Sequence, residues 1–154
     1  MRTCSLPLLL AMLTLLSIPR LSISAEDEGA KSVDAAWEKA MKAGDVDALV
    51  ACYAPDAVVW FPGHREAKGH EAIRAVYQSL LADNNVTDVK MTNTHYDTVG
   101  DKSVGWGSFS ITLTPKSGAA PSTMTGRFTE FCEKRDGRWV YVVDHASEEP
   151  PAEK

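Results

Sequence analysis

Near the end of the chain, in "VVDHAS", a carboxylate and an imidazole stand side by side at Asp144 and His145. Either group can carry a proton in general acid–base chemistry. Adjacent residues of a strand point to opposite faces of the sheet, so one of the two meets the interior whatever the register. A carboxylate buried against apolar walls has its pKa raised toward the range that suits a base. The structural alternative is a pair that holds a backbone group or meets a second copy of the chain. Further polar candidates lie within strands. Ser108 and Ser110 share the face of Trp106, and Glu130 shares the face of Phe128. A polar group turned inward needs a partner, and a ligand can be that partner. Trp37, Trp60, Phe61, Tyr96, Trp106 and Phe128 can wall an apolar pocket for a small ring or lipid-like molecule, with ordinary core packing as the alternative for each.

Other chemistries lack their residues. His64 and His70 fall in a loop without a cysteine, and His95 and His145 lie on separate strands, so no familiar metal-ligand spacing is present. There is no Gly-rich phosphate loop, no GxSxG elbow and no Cys/His nucleophile spacing, and nothing implies a cofactor. The formal charge of −5, with no Lys/Arg cluster to offset it, excludes a nucleic-acid backbone as partner.

The elements that must position these residues follow from periodicity. Val33, Trp37, Ala40 and Met41 share one helical face, Gly44 can end that helix, and Asp45 can cap a second one carrying Val46, Leu49, Val50 and Tyr53. In "YAPDAVVWFPG" Pro55 then stops the helix, residues 57–61 read as a buried strand, and Pro62-Gly63 turns the chain. Ile73, Val76, Tyr77, Leu80 and Leu81 mark a third amphipathic helix after a short polar piece at 65–68. From Val86 the period becomes two, giving four long strands near 86–99, 103–114, 123–134 and 138–147. Helices first and strands afterwards predict an α+β domain whose curved antiparallel sheet wraps over three N-terminal helices and leaves a cone-shaped interior.

The N-terminus has another chemistry. Arg2, an apolar run from Leu6 to Ile18, and Ser22 and Ser24 before Ala25 read as a cleaved secretory signal over 1–24, and the run is too short for a stable membrane span. Residues 25–30 then form a flexible leader, 31–147 the domain and 148–154 a polar tail, in a secreted or periplasmic protein. In an oxidising compartment Cys52 and Cys132 can pair, or stay as two small buried thiols. Asn85-Val86-Thr87 is a glycosylation sequon.

The stretches "AAWEKAMKAGDVDALVACYAPDAVVWFPG", "KGHEAIRAVYQSLL" and "GRFTEFCEKRDGRWVYVVDHAS" together resemble the nuclear-transport-factor-2-like superfamily, in the branch of SnoaL-like proteins, ketosteroid isomerase and the calcium/calmodulin-dependent kinase association domain. The resemblance covers Lys31 to Ser147 and implies a cone-shaped barrel of a strongly bent antiparallel sheet, up to six strands, wrapped around three N-terminal helices, and a homodimer formed through the sheet. It places Phe61 where the isomerases carry their proton-abstracting aspartate, and Trp37 where they carry an oxyanion-donating tyrosine. Phe61 cannot take a proton, so that chemistry is not carried over. Ser110 and Glu130 align with two pocket arginines of the kinase association domain, a change that disfavours an anionic ligand. Asp144 is the nearest match to the closing-strand base of SnoaL-like cyclases.

Three readings result. The first is an exported binding domain whose mostly apolar cavity takes a small apolar or ring-containing molecule. The second is a cofactor-independent isomerase, cyclase or hydratase using Asp144 or His145 as acid or base. The third is an oligomeric assembly module, which requires a filled cavity and an apolar outer sheet face.

Overall fold

Residues 29–150 are described in the computed structural model, so the signal segment, most of the leader and the last tail residues lie outside the described part. The helices are α1 (Ala30–Ala43), α2 (Val46–Ala51) and α3 (Gly69–Asp83). The strands are β1 (Tyr53–Trp60), β2 (Ala67–Lys68), β3 (Asn84–Val99), β4 (Lys102–Pro115), β5 (Ser122–Arg135) and β6 (Arg138–Glu148). The helix punctuation is as read from sequence: Gly44 is left-handed at φ 64 and returns its N–H to Ala40 and Met41, and the Asp45 carboxylate accepts from the Ala48 N–H at 3.0 Å.

Two boundaries differ from expectation. Ala30, assigned to the leader, opens α1, fully buried, with its N–H donating to Ser103 Oγ at 2.9 Å. Tyr53, assigned to the second helix, opens β1 opposite Tyr141. Pro55 disfavours helix in the residue before it, and the free edge of β6 offers strand pairing instead. Pairing is interrupted between Tyr53 and Val58, so the N–H that Pro55 lacks is not missed.

The six strands form one sheet in the order β2-β1-β6-β5-β4-β3. It is α+β as predicted, with α1 and α3 packed on one face. It is mixed rather than purely antiparallel, because the β3–β6 meander brings β6 back alongside β1 in the same direction. It is an open sheet rather than a closed barrel, with β2 and β3 at its edges. The β5–β6 hairpin turns at Asp136-Gly137, both at positive φ (52° and 78°), as the twist of tight hairpins demands.

One irregularity matters to function. Phe131 pairs with Val143 but Cys132 pairs with Tyr141, so Val142 is an extra residue in β6. This bulge resets the alternation, and Tyr141 and Asp144 both face the helices.

Candidate functional site

Between the helices and the concave face lies a cavity of about 170 Å³. Its walls are apolar and aromatic, with Met41 and Leu80 from the helices and Phe109 and Ile111 from β4 among them. Trp37, Phe61, Phe128, Glu130 and Asp144, all named from sequence, line it together. Asp144 faces in and His145 out, as adjacency on a strand requires.

The other sequence candidates are elsewhere. Trp60 and Trp106 are 39% and 44% exposed on the outer face, with His145 edge-on to Trp60 and His95 stacked on Trp106. Ser108 and Ser110 share that outer face, because Gly105, Phe109 and Ile111 take the inward positions of β4. The space above Gly105 and Gly107 is filled from β5: a Cβ at Gly105 would overlap Glu130 Oε1, and one at Gly107 would meet the Phe128 ring at 3.0 Å. Tyr96 points at Asp34 rather than lining the cavity. Cys52 and Cys132 are free buried thiols, Cys52 donating to the Ala48 carbonyl oxygen at 3.4 Å, so the pair is not bridged. Among the described residues no group of three His, Cys, Asp or Glu side chains could hold a metal.

Four residues not chosen from sequence complete the site: Asp34, Tyr53, Tyr77 and Tyr141, each at most 3% exposed. With Trp37 they make two hydrogen-bonded arms. In the first, Trp37 Nε1 donates to Tyr77 Oη at 2.7 Å, the Tyr77 and Tyr53 hydroxyls are 2.7 Å apart, and Tyr53 donates to Asp144 Oδ2 at 2.9 Å. An indole can only donate, and Tyr53 spends its one proton on the carboxylate, so Tyr77 must donate to Tyr53. Every proton of this arm is directed toward Asp144. In the second arm Tyr141 donates to Asp34 Oδ1 at 2.6 Å and Tyr96 to Asp34 Oδ2 at 2.7 Å. Glu130 adjoins the Asp34 carboxyl and is 3% exposed, and its Oε1 has no hydrogen-bond partner.

Environment separates the three acids. Burial pushes the Asp144 carboxyl up to about 6, the Tyr53 hydroxyl holds it down, and the Asp34 charge raises it. Part of Asp144 stays open to the cavity although protein surrounds it. Burial, then the charge of Asp34, drives Glu130 far above the carboxylate range. Burial raises Asp34 too, opposed by its hydrogen bonds from Glu130, Tyr141 and Tyr96. The pair cannot ionise twice in so dry a place. Asp34 has two phenol donors and the outer oxygen of Glu130 has none, so Glu130 keeps the proton and donates to Asp34. Burial likewise keeps the Tyr53, Tyr77 and Tyr141 phenols protonated.

An open α+β sheet bent over three helices, with a mostly apolar cavity holding a few convergent polar groups, has the nuclear-transport-factor-2-like fold. The SnoaL-like domain pattern matches residues 33–142, and the chain belongs to that family. No curated protein sequence matches the chain. Among solved structures, it is similar to a protein assigned as a calcium/calmodulin-dependent protein kinase II association domain from Xanthomonas campestris, with 24% identity over 90% of this chain and 100% of the other and a TM-score of 0.71. A ketosteroid isomerase-like protein from Erwinia carotovora atroseptica has 20% identity, coverage of 79% and 94%, and a TM-score of 0.67. A protein assigned as a scytalone dehydratase from Novosphingobium aromaticivorans has 13% identity, coverage of 80% and 84%, and a TM-score of 0.73. At these identities the likeness is one of fold.

Proposed function

We propose that the cavity binds a small ring-containing molecule and that Asp144 acts on it as a general base, in a cofactor-independent isomerisation or dehydration. The observation that carries this reading is the second oxygen of Asp144. Tyr53 occupies Oδ2, and among the described residues no donor reaches Oδ1, on a side chain that lines a mostly apolar wall. A carboxylate titrating near 6 is charged at neutral pH and still basic enough to take a proton from carbon. His145, on the outer face, has no part in this chemistry. The test is hydrogen–deuterium exchange at the carbons beside the C=O of cyclic ketones and the C=N of cyclic imines in D2O, which reports proton abstraction before any complete reaction is known. Exchange that depends on Asp144 supports the reading, and exchange untouched by its loss rejects it.

The unfilled cavity disfavours pure assembly, yet the outer face supports a homodimer as well. Val58, Val143, Phe131 and Val104 form one apolar row across β1, β6, β5 and β4. Beside it, Trp60, His145, Thr129, Trp106 and His95 form another across five strands. A two-fold axis lying along β5 reverses this second row, setting each tryptophan over a histidine of the partner subunit and threonine over threonine. Light scattering at micromolar concentration is expected to give a dimer, and Thr129→Arg, at the centre of the row, a folded monomer. A wild-type monomer would reject the interface.

Export is the remaining part of the proposal, supported by Arg2, the apolar run from Leu6 to Ile18 and the small residues before Ala25. N-terminal sequencing of the protein from its own host is expected to begin near Ala25, and mature protein that keeps Met1 would refute it.

A further inference from the structure

We infer that the ligand of this cavity is a monocyclic organic cation, with a protonated amine or iminium nitrogen, rather than a neutral carbonyl compound. The inference rests on the reading of the cavity as a ligand site and follows from counting protons and charges around it.

The donors are already spent. The Trp37 indole gives its proton to Tyr77, Tyr77 to Tyr53, and Tyr53 to Asp144. Tyr141 and Tyr96 give theirs to Asp34, and Glu130 shares its proton with the same carboxylate. Among the described residues, His64, on the exposed rim, is the one polar cavity-lining side chain outside this network. An enolate or other oxyanion formed inside would meet no free donor, and stabilising such charge requires donors already aimed at it. Trp37 in particular cannot serve as the oxyanion donor that its alignment suggested.

One acceptor, by contrast, is left over. Asp144 Oδ1 is open on the cavity wall, since Tyr53 takes only Oδ2, whereas Glu130 Oε1 is shut away against Gly105. Asp34 and ionised Asp144 place two negative charges beside the cavity, and among the described residues no lysine or arginine lines it. Buried charges are costly without a counterion, and a bound cation would be that counterion. The aromatic walls add the electron-rich faces of Trp37, Phe61, Phe128 and Tyr77. Volume limits the size: about 170 Å³ is near the roughly 150 Å³ of a cavity that accepts one benzene.

A cationic nitrogen also suits Asp144 as base. When the carboxylate removes a proton from the carbon beside an iminium, the C–H electron pair becomes a C=C bond. The C=N π pair becomes the nitrogen lone pair, and the product is a neutral enamine. No oxyanion arises, so none has to be stabilised.

The experiment is calorimetric titration of the mature protein with three ring compounds of equal size: cyclohexylamine, which stays protonated throughout, cyclohexanone and cyclohexanecarboxylate. At pH 7.5 the amine is expected to bind at least tenfold more tightly than the ketone, and the carboxylate most weakly. The preference should shrink at pH 4.5, where Asp144 is protonated, and in Asp144→Asn at pH 7.5. The groups packed around Asp144 are Tyr53 from β1, Tyr77 from α3, Asp34 from α1, Glu130 from β5 and Tyr141 from its own strand. Of these, only Asp34 and Glu130 could add to the acid arm, and Asp144→Asn separates them from Asp144. Equal or tighter binding of the ketone overturns the inference, as does no binding of any ring compound. If the ketone wins while its ring-carbon exchange still depends on Asp144, the base reading stands and the cation inference falls. If the amine wins and Asp144 catalyses no exchange at the carbons beside the C=N of a cyclic iminium or the C=O of cyclohexanone, the cavity is a cation receptor and the base reading falls.

Discussion

Asp144→Asn should abolish proton exchange at the ligand's ring carbons, by roughly a hundredfold to ten-thousandfold, and make the folded protein more stable at pH 7.5. The first effect follows because an amide keeps the shape and the acceptor for Tyr53 but cannot take a proton. The second follows from linkage. Folded Asp144 titrates at about 6 against an ordinary value of 3.8, so the folded state holds this proton more tightly than the unfolded chain does. Protons therefore favour folding across that window, and stability falls as pH rises through it. Above about 6, keeping the carboxylate ionised costs at most about 3 kcal/mol, at roughly 1.4 kcal/mol per pH unit. Asparagine removes that cost. Urea unfolding is expected to show the variant ahead of wild type at pH 7.5 and level with it at pH 4. Wild-type exchange should climb with pH up to about 6 and then level off, which a purely structural aspartate would not produce. A variant less stable at every pH, or one still active, would show that Asp144 is a packing residue.

The periodic parts of this fold were legible because each rests on a local rule. Gly44 can adopt a left-handed conformation, Asp45 can cap, and alternation from Val86 onward can only be sheet. What failed depended on partners distant in sequence. Tyr53 completes an apolar helical stripe as well as it opens a strand, and only the edge of β6 decides between them. The face of β4 was equally open, since Trp106 and two serines alternate with two glycines. Glu130 and Phe128 decide it by filling the space over those glycines. The bulge at Val142 has no signature in "WVYVVDH", so nothing local placed Tyr141 beside Asp144. Asp34 was the signal passed over. It shares the buried stripe of α1 with Ala30, Met41 and the cavity residue Trp37, and a carboxylate in an apolar stripe must have partners elsewhere.

Glu130→Gln tests the other half of the buried charge system, and its effect should be seen chiefly in pH dependence. A glutamine amide can donate to Asp34 as the protonated acid does, and its oxygen can occupy the place of Oε1 beside Gly105. At pH 4.5, where the ordinary glutamate value lies, the two proteins should differ little. Above it, unfolding wild type releases a proton that the folded protein holds, so its stability declines with pH by up to about 1.4 kcal/mol per unit for this one group. The glutamine variant lacks that proton and that slope. Asp144, raised in the same direction, contributes to both proteins and cancels in the difference, as do the surface ion pairs, and Asp34 keeps a carboxamide donor in place of the acid. Urea midpoints at pH 4.5, 6 and 8 are therefore expected to diverge steadily, the variant becoming the more stable. Glu130→Ala gives the contrast, because it deprives Asp34 of its carboxyl partner and opens a void beside Phe128, and it should destabilise at every pH. A gap between Glu130→Gln and wild type that stays constant with pH would mean that Glu130 is ionised in the folded protein. The acid pair would then hold two charges, and Glu130 would have no proton to donate to Asp34.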